Sequence, residues 1–222
     1  MSIGGGEYRP RPPGGSQPEP VLGGGEYRPR PLTHLDALRD ALDEFRQEAP
    51  RLADWAAQLA WTLPRGGRLL AAGNGGSAAQ AQHLVCELVG KLDADRPPMS
   101  GIALCAETNA LTAIANDYGY EQVFARQVHA HAREGDVVVL LSTSGRSRNV
   151  LAAADAGREL GLEVWGMTGA LPNPLATRCT QVLAIPSRDT QVVQELHLVA
   201  VHLLCGYLDS LLGVPLVAEV AS

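Results

Sequence analysis

The sequence predicts an α/β protein, a three-layer sandwich whose five-stranded parallel sheet is flanked by helices and preceded by a helical N-terminal segment. Short apolar runs alternate along the chain with longer segments of helical periodicity. The runs are apolar throughout, as in residues 137–141 (VVVLL), and the connections between them are long enough for helical crossovers. Both features are typical of a parallel sheet that is buried on its two faces.

The predicted elements begin after a tail rich in glycine, proline and arginine. Residues 1–32 contain GGGEYRPRP twice, at 4–12 and 23–31, and this composition predicts a disordered tail. The repeat is either a low-complexity extension, which is the favoured interpretation, or a motif for a partner protein. We expect a single domain over residues 33–214 and a C-terminal tail over residues 215–222.

A leading amphipathic helix is predicted from Thr33, with Thr33 as its N-cap and Asp36 as an acidic third residue. Pro50 either kinks this helix or opens a second one, which continues the apolar stripe to Leu59. The apolar positions of the first part recur at intervals of three and four: Leu35, Leu38, Leu42 and Phe45.

Strands and helices then alternate to the end of the predicted domain. The strands are predicted near residues 68–72, 101–105, 136–142, 163–168 and 181–185. The helices are predicted near residues 77–91, 108–115, 121–133, 147–160 and 190–212. In such a sheet, ligands bind beyond the carboxyl ends of the strands, where loops lead into helices.

Composition excludes several classes of function. The net charge of -6 and the lack of a Lys/Arg run argue against nucleic acid as a direct ligand. No stretch has the roughly 18 uncharged apolar residues of a membrane helix, and no secretory signal pattern is present, so we expect a cytoplasmic protein without membrane contact. The cysteines form no CxxC pair, which argues against a structural zinc or disulfide framework: Cys86, Cys105, Cys179 and Cys205.

Two strand-to-helix turns carry groups suited to a phosphate. They are residues 73–77 (GNGGS) and 142–147 (STSGRS), and each exposes backbone N–H groups at a helix start. Either loop alone is equally well an N-capped turn, but two such loops in one sheet favour an anion site. The candidate phosphate-binding residues are Asn74, Gly75, Gly76, Ser77, Ser142, Thr143, Ser144 and Ser147.

Two nucleotide interpretations compete with the phosphate-monoester site. Gly73, Gly75 and Ala78 satisfy G-x-G-x-x-A, and Glu107 follows the next strand, as in a dinucleotide fold. That interpretation leaves the second serine-rich turn unexplained. A Walker-type site fails because neither loop ends in Gly-Lys-Ser/Thr. We therefore expect no nucleotide cofactor.

His83 and Glu87 lie four residues apart on the helix after the first loop, so they share one face. They form a possible acid/base or metal pair. Taken alone, Glu87 is most simply an exposed carboxylate. His202, on the last helix, is most simply a buried histidine with one hydrogen-bond partner.

Several motifs together resemble those of a known family. They are GNGGS (73–77), QHLVCEL (82–88), NDYG (116–119), STSGRSRNV (142–150) and QELHLVAVH (194–202). With them the chain resembles the sugar isomerase (SIS) domains of flavodoxin-like fold. Within that family it resembles the sedoheptulose 7-phosphate isomerases, also called phosphoheptose isomerases, over residues 35–212.

The resemblance implies an enzyme that converts D-sedoheptulose 7-phosphate to D-glycero-D-manno-heptose 7-phosphate, the first step of nucleotide-heptose biosynthesis. It implies Glu87 as the base that moves the carbon-bound proton through an enediol, and His202 as its acid/base counterpart. Asn116, Asp117 and Gln194 join the substrate-binding residues by the same resemblance. His202 and Gln194 both lie on the last helix, so the resemblance implies that this helix contributes an acid/base group and a substrate-binding group to the same pocket.

A divalent metal ion is also implied, with zinc as the favoured identity and one ion per subunit. Its ligands would be His83, Glu87, Gln194 and His202. The family also implies a homotetramer, and the leading helix with Trp55 and Trp61 is our candidate for the main subunit contact.

The chain departs from the family's pattern at two places that bear on the sugar's outer hydroxyls. Gln191 stands where an aspartate is common, and residues 169–174 (GALPNP) replace a frequent glycine pair. Two alternative functions remain open. One is a non-catalytic SIS-domain protein that contacts a replication initiator, which residues 111–117 (LTAIAND) also resemble. The other is isomerisation of a different phosphosugar.

Overall fold

The computed structural model describes residues 30–214 and contains seven α-helices and five strands in that range. The helices are α1 (Arg30–Phe45), α2 (Ala49–Thr62), α3 (Gly76–Val89), α4 (Thr108–Tyr118), α5 (Ala125–His131), α6 (Arg148–Glu159) and α7 (Thr190–Leu211). The strands are β1 (Leu69–Ala72), β2 (Gly101–Ala103), β3 (Val137–Ser142), β4 (Glu163–Thr168) and β5 (Gln181–Ala184). The N-terminal tail was predicted over residues 1–32, but residues 30–32 belong to α1. The rest of that tail, 1–29, and the predicted C-terminal tail, 215–222, lie outside the described range.

The five strands form one parallel sheet in the order β2-β1-β3-β4-β5. Leu69 at the start of β1 is paired with Gly101 on one side and with Val137 on the other. The strand order reverses between β1 and β3, so a crevice opens at the carboxyl ends of these two strands. The predicted three-layer architecture is confirmed, and both serine-rich loops leave the sheet at this crevice.

Each face of the sheet packs against its own group of helices. Alternate side chains of β1 and β3 point to opposite faces, as Ala71 and Val139 do on one side and Leu70 and Val138 on the other. The first face is covered by α1, α2, α3 and α7, and the second by α4, α5 and α6. The helices α3 and α7 therefore lie on the same side of the sheet, where they pack against each other.

In the leading segment, the predicted N-cap at Thr33 is wrong, and the role of Pro50 is now clear. Helix α1 begins at Arg30, so Thr33 lies inside the helix and is not its N-cap. Pro50 stands in the first turn of α2 and opens a new helix rather than kinking the old one. A 3₁₀ turn at Arg46–Glu48 joins the two helices.

Trp55 was expected at a subunit contact together with Trp61, and for Trp55 this is wrong. Trp55 is fully buried, stacks on Trp165 with ring centroids 4.5 Å apart, and donates a hydrogen bond to Gln181 Oε1 at 2.7 Å. It belongs to the chain's own core. Trp61 is 66% exposed, and the guanidinium of Arg65 lies 3.4 Å from its ring centroid.

Two helix boundaries also differ from those predicted. Helix α4 continues to Tyr118, which places Asn116 and Asp117 in its last turn. The helix predicted over residues 121–133 is divided into a 3₁₀ turn, Tyr120–Gln122, and the short helix α5. None of the helices within the described residues is long and apolar enough to cross a membrane.

Candidate active site

The first loop joins β1 to α3 in a turn that needs glycine at positions 73 and 75, and in which Gly76 lies against the flexible side chain of Gln194. Gly75 has φ = 53°, a conformation that residues with a side chain rarely adopt. A Cβ on Gly73 would approach the carbonyl oxygen of Ser77 to 2.6 Å, and a Cβ on Gly76 would approach Gln194 Oε1 to 2.2 Å. The turn therefore folds tightly around the start of α3. It also brings the amide of Gln194, from α7, against that start.

The second loop joins β3 to α6 and has a similar form. The hydroxyl oxygens of Ser142 and Ser147 lie 3.3 Å apart, with Ser142 buried. Ser144 is exposed, and its hydroxyl accepts a hydrogen bond from the backbone N–H of Arg146. Thr143 is partly buried between them. Four hydroxyl groups thus surround the N-terminus of α6.

The connection between β4 and β5 holds this second loop in place. Gly169 N donates to the carbonyl of Thr143 at 3.1 Å, and Leu175 N donates to the carbonyl of Gly145 at 3.0 Å. A cavity of about 300 Å³ lies between the loop and this connection. Thr143, Ser144 and Arg146 form its wall on the loop side. The cavity gives a ligand access to the hydroxyls of the second loop.

Three side chains from α3 and α7 converge about two helical turns beyond the first loop. His83 Nε2 lies 3.0 Å from Glu87 Oε1 and 3.1 Å from His202 Nε2, and the ligand atoms of all three groups lie within 4.8 Å of one another. Glu87 is partly buried, whereas His202 is exposed on the surface of the single chain. We call these residues the His/Glu cluster. Two imidazoles and one carboxylate at these separations could hold a divalent cation or transfer protons.

The remaining predicted substrate-binding residues are Gln194 on α7 and the pair Asn116 and Asp117 on α4. Gln194 contacts Gly76, as its amide position shows, and lies two turns before His202 on α7. Asn116 and Asp117 are exposed at the end of α4, and Asn116 Nδ2 donates to Asp117 Oδ1 at 2.8 Å. Among the described residues, neither Asn116 nor Asp117 makes a side-chain hydrogen bond to the two loops. The segment that follows Asn116 and Asp117 reaches the first loop through Tyr120, which hydrogen-bonds Asn74.

Sequence reasoning missed three residues that organise the site. Tyr120 donates to Asn74 Oδ1 at 3.0 Å, and Asn149 exchanges two hydrogen bonds with the amide of Asn74. Arg96 is buried and donates to the carbonyls of Glu87 and Leu88 in the last turn of α3. Asn149 lies within the STSGRSRNV motif, so a search of that motif for polar residues would have found it. Arg96 lies in an irregular segment that carries no periodic signal.

Arg96 also connects the two helices of the His/Glu cluster. Its Nε lies 2.7 Å from Asp209 Oδ1 on α7, and both side chains are almost completely buried. The same guanidinium therefore caps the carbonyl end of α3 and neutralises a carboxylate of α7. This arrangement fixes how α3 and α7 are placed relative to each other.

A further histidine on α7 lies in the core. His197 is fully buried between the positions of Gln194 and His202, and its burial lowers its pKa to about 4. The main chain of Thr168 partly opposes this effect. His197 is therefore neutral at neutral pH.

The fold and site place this protein among the SIS domains, sugar-phosphate domains in which serine-rich loops follow parallel strands. The SIS domain family matches residues 33–169, and the chain belongs to it. Within that family the chain is a member of the phosphoheptose isomerases. It is 57% identical over 179 residues to the phosphoheptose isomerase of Streptomyces coelicolor, which covers 81% of this chain and 78% of that protein.

Solved structures agree with the sequence comparison. A phosphoheptose isomerase from Francisella tularensis superposes with a TM-score of 0.77 at 31% identity, covering 82% of this chain and 97% of that one. The phosphoheptose isomerase of Neisseria gonorrhoeae gives a TM-score of 0.75 at 36% identity with the same coverage. The predicted family, fold and isomerase class are thereby confirmed, and the ligand is a small molecule.

Proposed function

We propose that the protein converts D-sedoheptulose 7-phosphate to D-glycero-D-manno-heptose 7-phosphate, the first step of nucleotide-heptose biosynthesis. The observation that carries this proposal is the convergence of His83 and Glu87, on the helix α3 that begins at the first loop, with His202 on the neighbouring helix α7. An anion site and a proton-transfer site then lie on one helix. The names of the related proteins support the same substrate class.

The phosphate is bound between the two loops at the crevice where the strand order reverses. A dianion there accepts hydrogen bonds from backbone N–H groups at the starts of α3 and α6. It also accepts them from serine and threonine hydroxyls of both loops. The predicted ligands are Asn74, Gly75, Gly76, Ser77, Ser142, Thr143, Ser144 and Ser147.

The length of the substrate fits the separation between the phosphate loops and the Glu87 carboxylate. Ser77 and Glu87 are ten residues apart on α3, about 15 Å along the axis at 1.5 Å per residue. Side chains on a helix lean toward its N-terminus, so the Glu87 carboxylate reaches back toward the loops. An extended seven-carbon sugar with its phosphate in the loops brings its carbonyl end to Glu87.

Proton transfer follows from this placement. Glu87 removes a proton from C1 of the ketose and returns it to C2, so that an enediol forms and then collapses to the aldose. His202 moves the proton between the two neighbouring oxygens. The 3.0 Å contact with His83 orients the Glu87 carboxylate. Asn116, Asp117 and Gln194 are proposed to bind the sugar hydroxyls between these two ends.

The His/Glu cluster also fits a zinc ion. Its measured contacts of 3.0 and 3.1 Å are close to the edge of a tetrahedron with ligands at zinc distances, about 3.3 Å. His83, Glu87 and His202 would hold the ion, with Gln194 as the fourth ligand, and proton transfer would then use the second carboxylate oxygen of Glu87 and the second ring nitrogen of His202. When bound, zinc would polarise the carbonyl of the sugar and stabilise the charge of the enediolate.

We also propose that the protein acts in the cytoplasm as a homotetramer. The exposure of His202 supports assembly, because an acid/base group is more effective where a neighbouring subunit excludes water. Exposed apolar side chains on α1 and α3 provide surface for such contacts, as at Leu35 and Val89.

The experiment is an isomerase assay with purified protein, zinc and a panel of pentose, hexose and heptose phosphates. We expect turnover of sedoheptulose 7-phosphate in preference to the shorter sugars. Turnover of an arabinose or amino-sugar phosphate instead would assign a different substrate. No turnover of any sugar, together with cellular function that survives Glu87→Gln, would favour a binding protein.

A further inference from the structure

A pair of asparagine side chains joins the first phosphate loop to the start of α6, the helix that follows the second phosphate loop. Asn74 lies in the first loop and Asn149 in the first turn of α6, after the second loop. Asn74 Nδ2 donates to Asn149 Oδ1 at 2.9 Å, and Asn149 Nδ2 donates to Asn74 Oδ1 at 2.8 Å. The two amides therefore form a closed ring of two hydrogen bonds across the crevice between β1 and β3.

The environment fixes the orientation of both amides. The backbone N–H of Val150 donates to Asn149 Oδ1 at 3.0 Å, so this atom must be the oxygen. The Nδ2 of Asn74 must then face it, and Asn74 Oδ1 is left to accept from Asn149 Nδ2 and from the hydroxyl of Tyr120. Asn149 is only 3% exposed, so water cannot replace these bonds without cost.

We propose that Asn149 is a positioning residue that holds the two phosphate loops at a fixed separation, with Tyr120 as the second anchor of Asn74. This inference rests on the proposed function, since it concerns the site assigned to the phosphate. A dianion bound by two separate loops loses affinity when either loop must be ordered during binding. Because the asparagine pair already orders both loops in the free protein, phosphate binding does not have to order them.

The Tyr120 anchor is itself held against α6. Glu121, the next residue, lies 2.7 Å from Arg148 Nη1, and Arg148 directly precedes Asn149. The 3₁₀ turn Tyr120–Gln122 therefore contacts the first loop through Tyr120 and the first residue of α6 through Glu121, in an exposed ion pair. It follows Asn116 and Asp117 closely, which extends the same fixed geometry to the proposed sugar-binding residues.

The main test compares Asn149→Ala with Gln127→Ala. Gln127 is a matched control because it is a buried amide, 6% exposed, that donates two hydrogen bonds, to the carbonyls of Leu104 and Val123, neither of which belongs to the two loops. Because phosphate is held in the ground state and the transition state alike, we expect Asn149→Ala to raise KM about tenfold with kcat little changed. The Kd for inorganic phosphate, measured by calorimetry at constant ionic strength, rises equally. Gln127→Ala lowers the melting temperature but leaves KM and this Kd unchanged.

A milder pair of variants covers the case in which Asn149→Ala does not fold. Tyr120→Phe removes one hydroxyl from a side chain that is 60% exposed, and Tyr118→Phe does the same at 55% exposure without contacting Asn74. We expect Tyr120→Phe to raise the Kd for phosphate about threefold. Tyr118→Phe leaves it unchanged.

The outcomes separate this inference from the proposed function. If the wild type isomerises heptose phosphate and folded Asn149→Ala or Tyr120→Phe binds phosphate normally, the positioning role is wrong and the function stands. If Gln127→Ala raises KM as much as Asn149→Ala does, the effect is general loss of stability, and the inference is again wrong. If the wild type neither binds phosphate nor isomerises the sugar, both proposals fail.

Discussion

Glu87 is the proposed base of the isomerisation, and an amide in its place has nearly the same shape but cannot accept the proton. Glu87→Gln keeps the size of the side chain in its partly buried position but removes the base. We expect kcat to fall about a thousandfold or more, within the range for loss of a general base. Steady-state kinetics of the heptose phosphate, with circular dichroism to verify folding, measures this.

The matched control is Glu134→Gln, which removes an exposed carboxylate before β3 and should leave kcat unchanged. A Glu87→Gln variant that keeps a tenth or more of wild-type kcat would show that another group is the base.

His197 makes stability depend on pH. Burial lowers its pKa to about 4, against about 6.5 in an unfolded chain, so between these values the unfolded state binds one more proton. The stabilisation is complete above pH 6.5 and is lost as pH falls toward 4. From pH 7.5 to 5 this residue should cost about 2 kcal/mol of unfolding free energy.

Urea unfolding of wild type and His197→Leu at the two pH values measures the difference. We expect the variant to lose less stability on acidification than the wild type by that amount. Equal losses in the two proteins would mean that His197 does not titrate in this range.

At the level of elements, Arg96 connects α3 to α7. Its guanidinium pairs with Asp209 and caps α3 at Leu88, with both charged groups buried. Arg96→Leu leaves the Asp209 charge without a partner, and we expect the free energy of unfolding to fall by about 3–5 kcal/mol.

Arg178→Leu is the comparison, because Arg178 forms an exposed pair with Asp155 and its loss should cost about 1 kcal/mol or less. The double variant Arg96→Leu/Asp209→Leu should recover part of the loss. Denaturant titration checks all three, and similar costs for the two single variants would contradict this role of Arg96.

The elements themselves were largely predictable because the strands of a covered parallel sheet are apolar runs, as in β3. The ends were less predictable. Thr33 has the chemistry of an N-cap, yet α1 starts earlier at Arg30. The break between Tyr120–Gln122 and α5 carries no glycine or proline, so no local signal marked it.

The candidate site was predictable where motifs name residues, and less so where contacts depend on the fold. His83 and Glu87 share a helix face by spacing alone, whereas His202 meets them only because α3 and α7 pack together. Asn149, Tyr120 and Arg96 act through hydrogen bonds between distant segments. Trp55 shows the same limit, since its sequence position did not reveal that it stacks on Trp165 in the core.

At the level of the whole molecule, we expect four copies to assemble. Apolar side chains remain exposed on helices around the His/Glu cluster, including Leu203 beside His202. Multi-angle light scattering after size-exclusion chromatography should give four times the chain mass of 23.5 kDa. A Leu203→Glu variant should shift the mass toward smaller species, because it places charge in an apolar contact. A wild-type monomer at micromolar concentration would contradict the assembly.

The proposed chemistry is tested best by nuclear magnetic resonance of sedoheptulose 7-phosphate incubated with the zinc-supplied protein in D₂O. Proton transfer through an enediol on Glu87 predicts an aldoheptose 7-phosphate, which carries deuterium at C2 to the extent that Glu87 exchanges its proton with solvent before returning it, and neither product nor exchange with Glu87→Gln. Substrate that stays unchanged with the wild type, or product formed equally fast by Glu87→Gln, would contradict it.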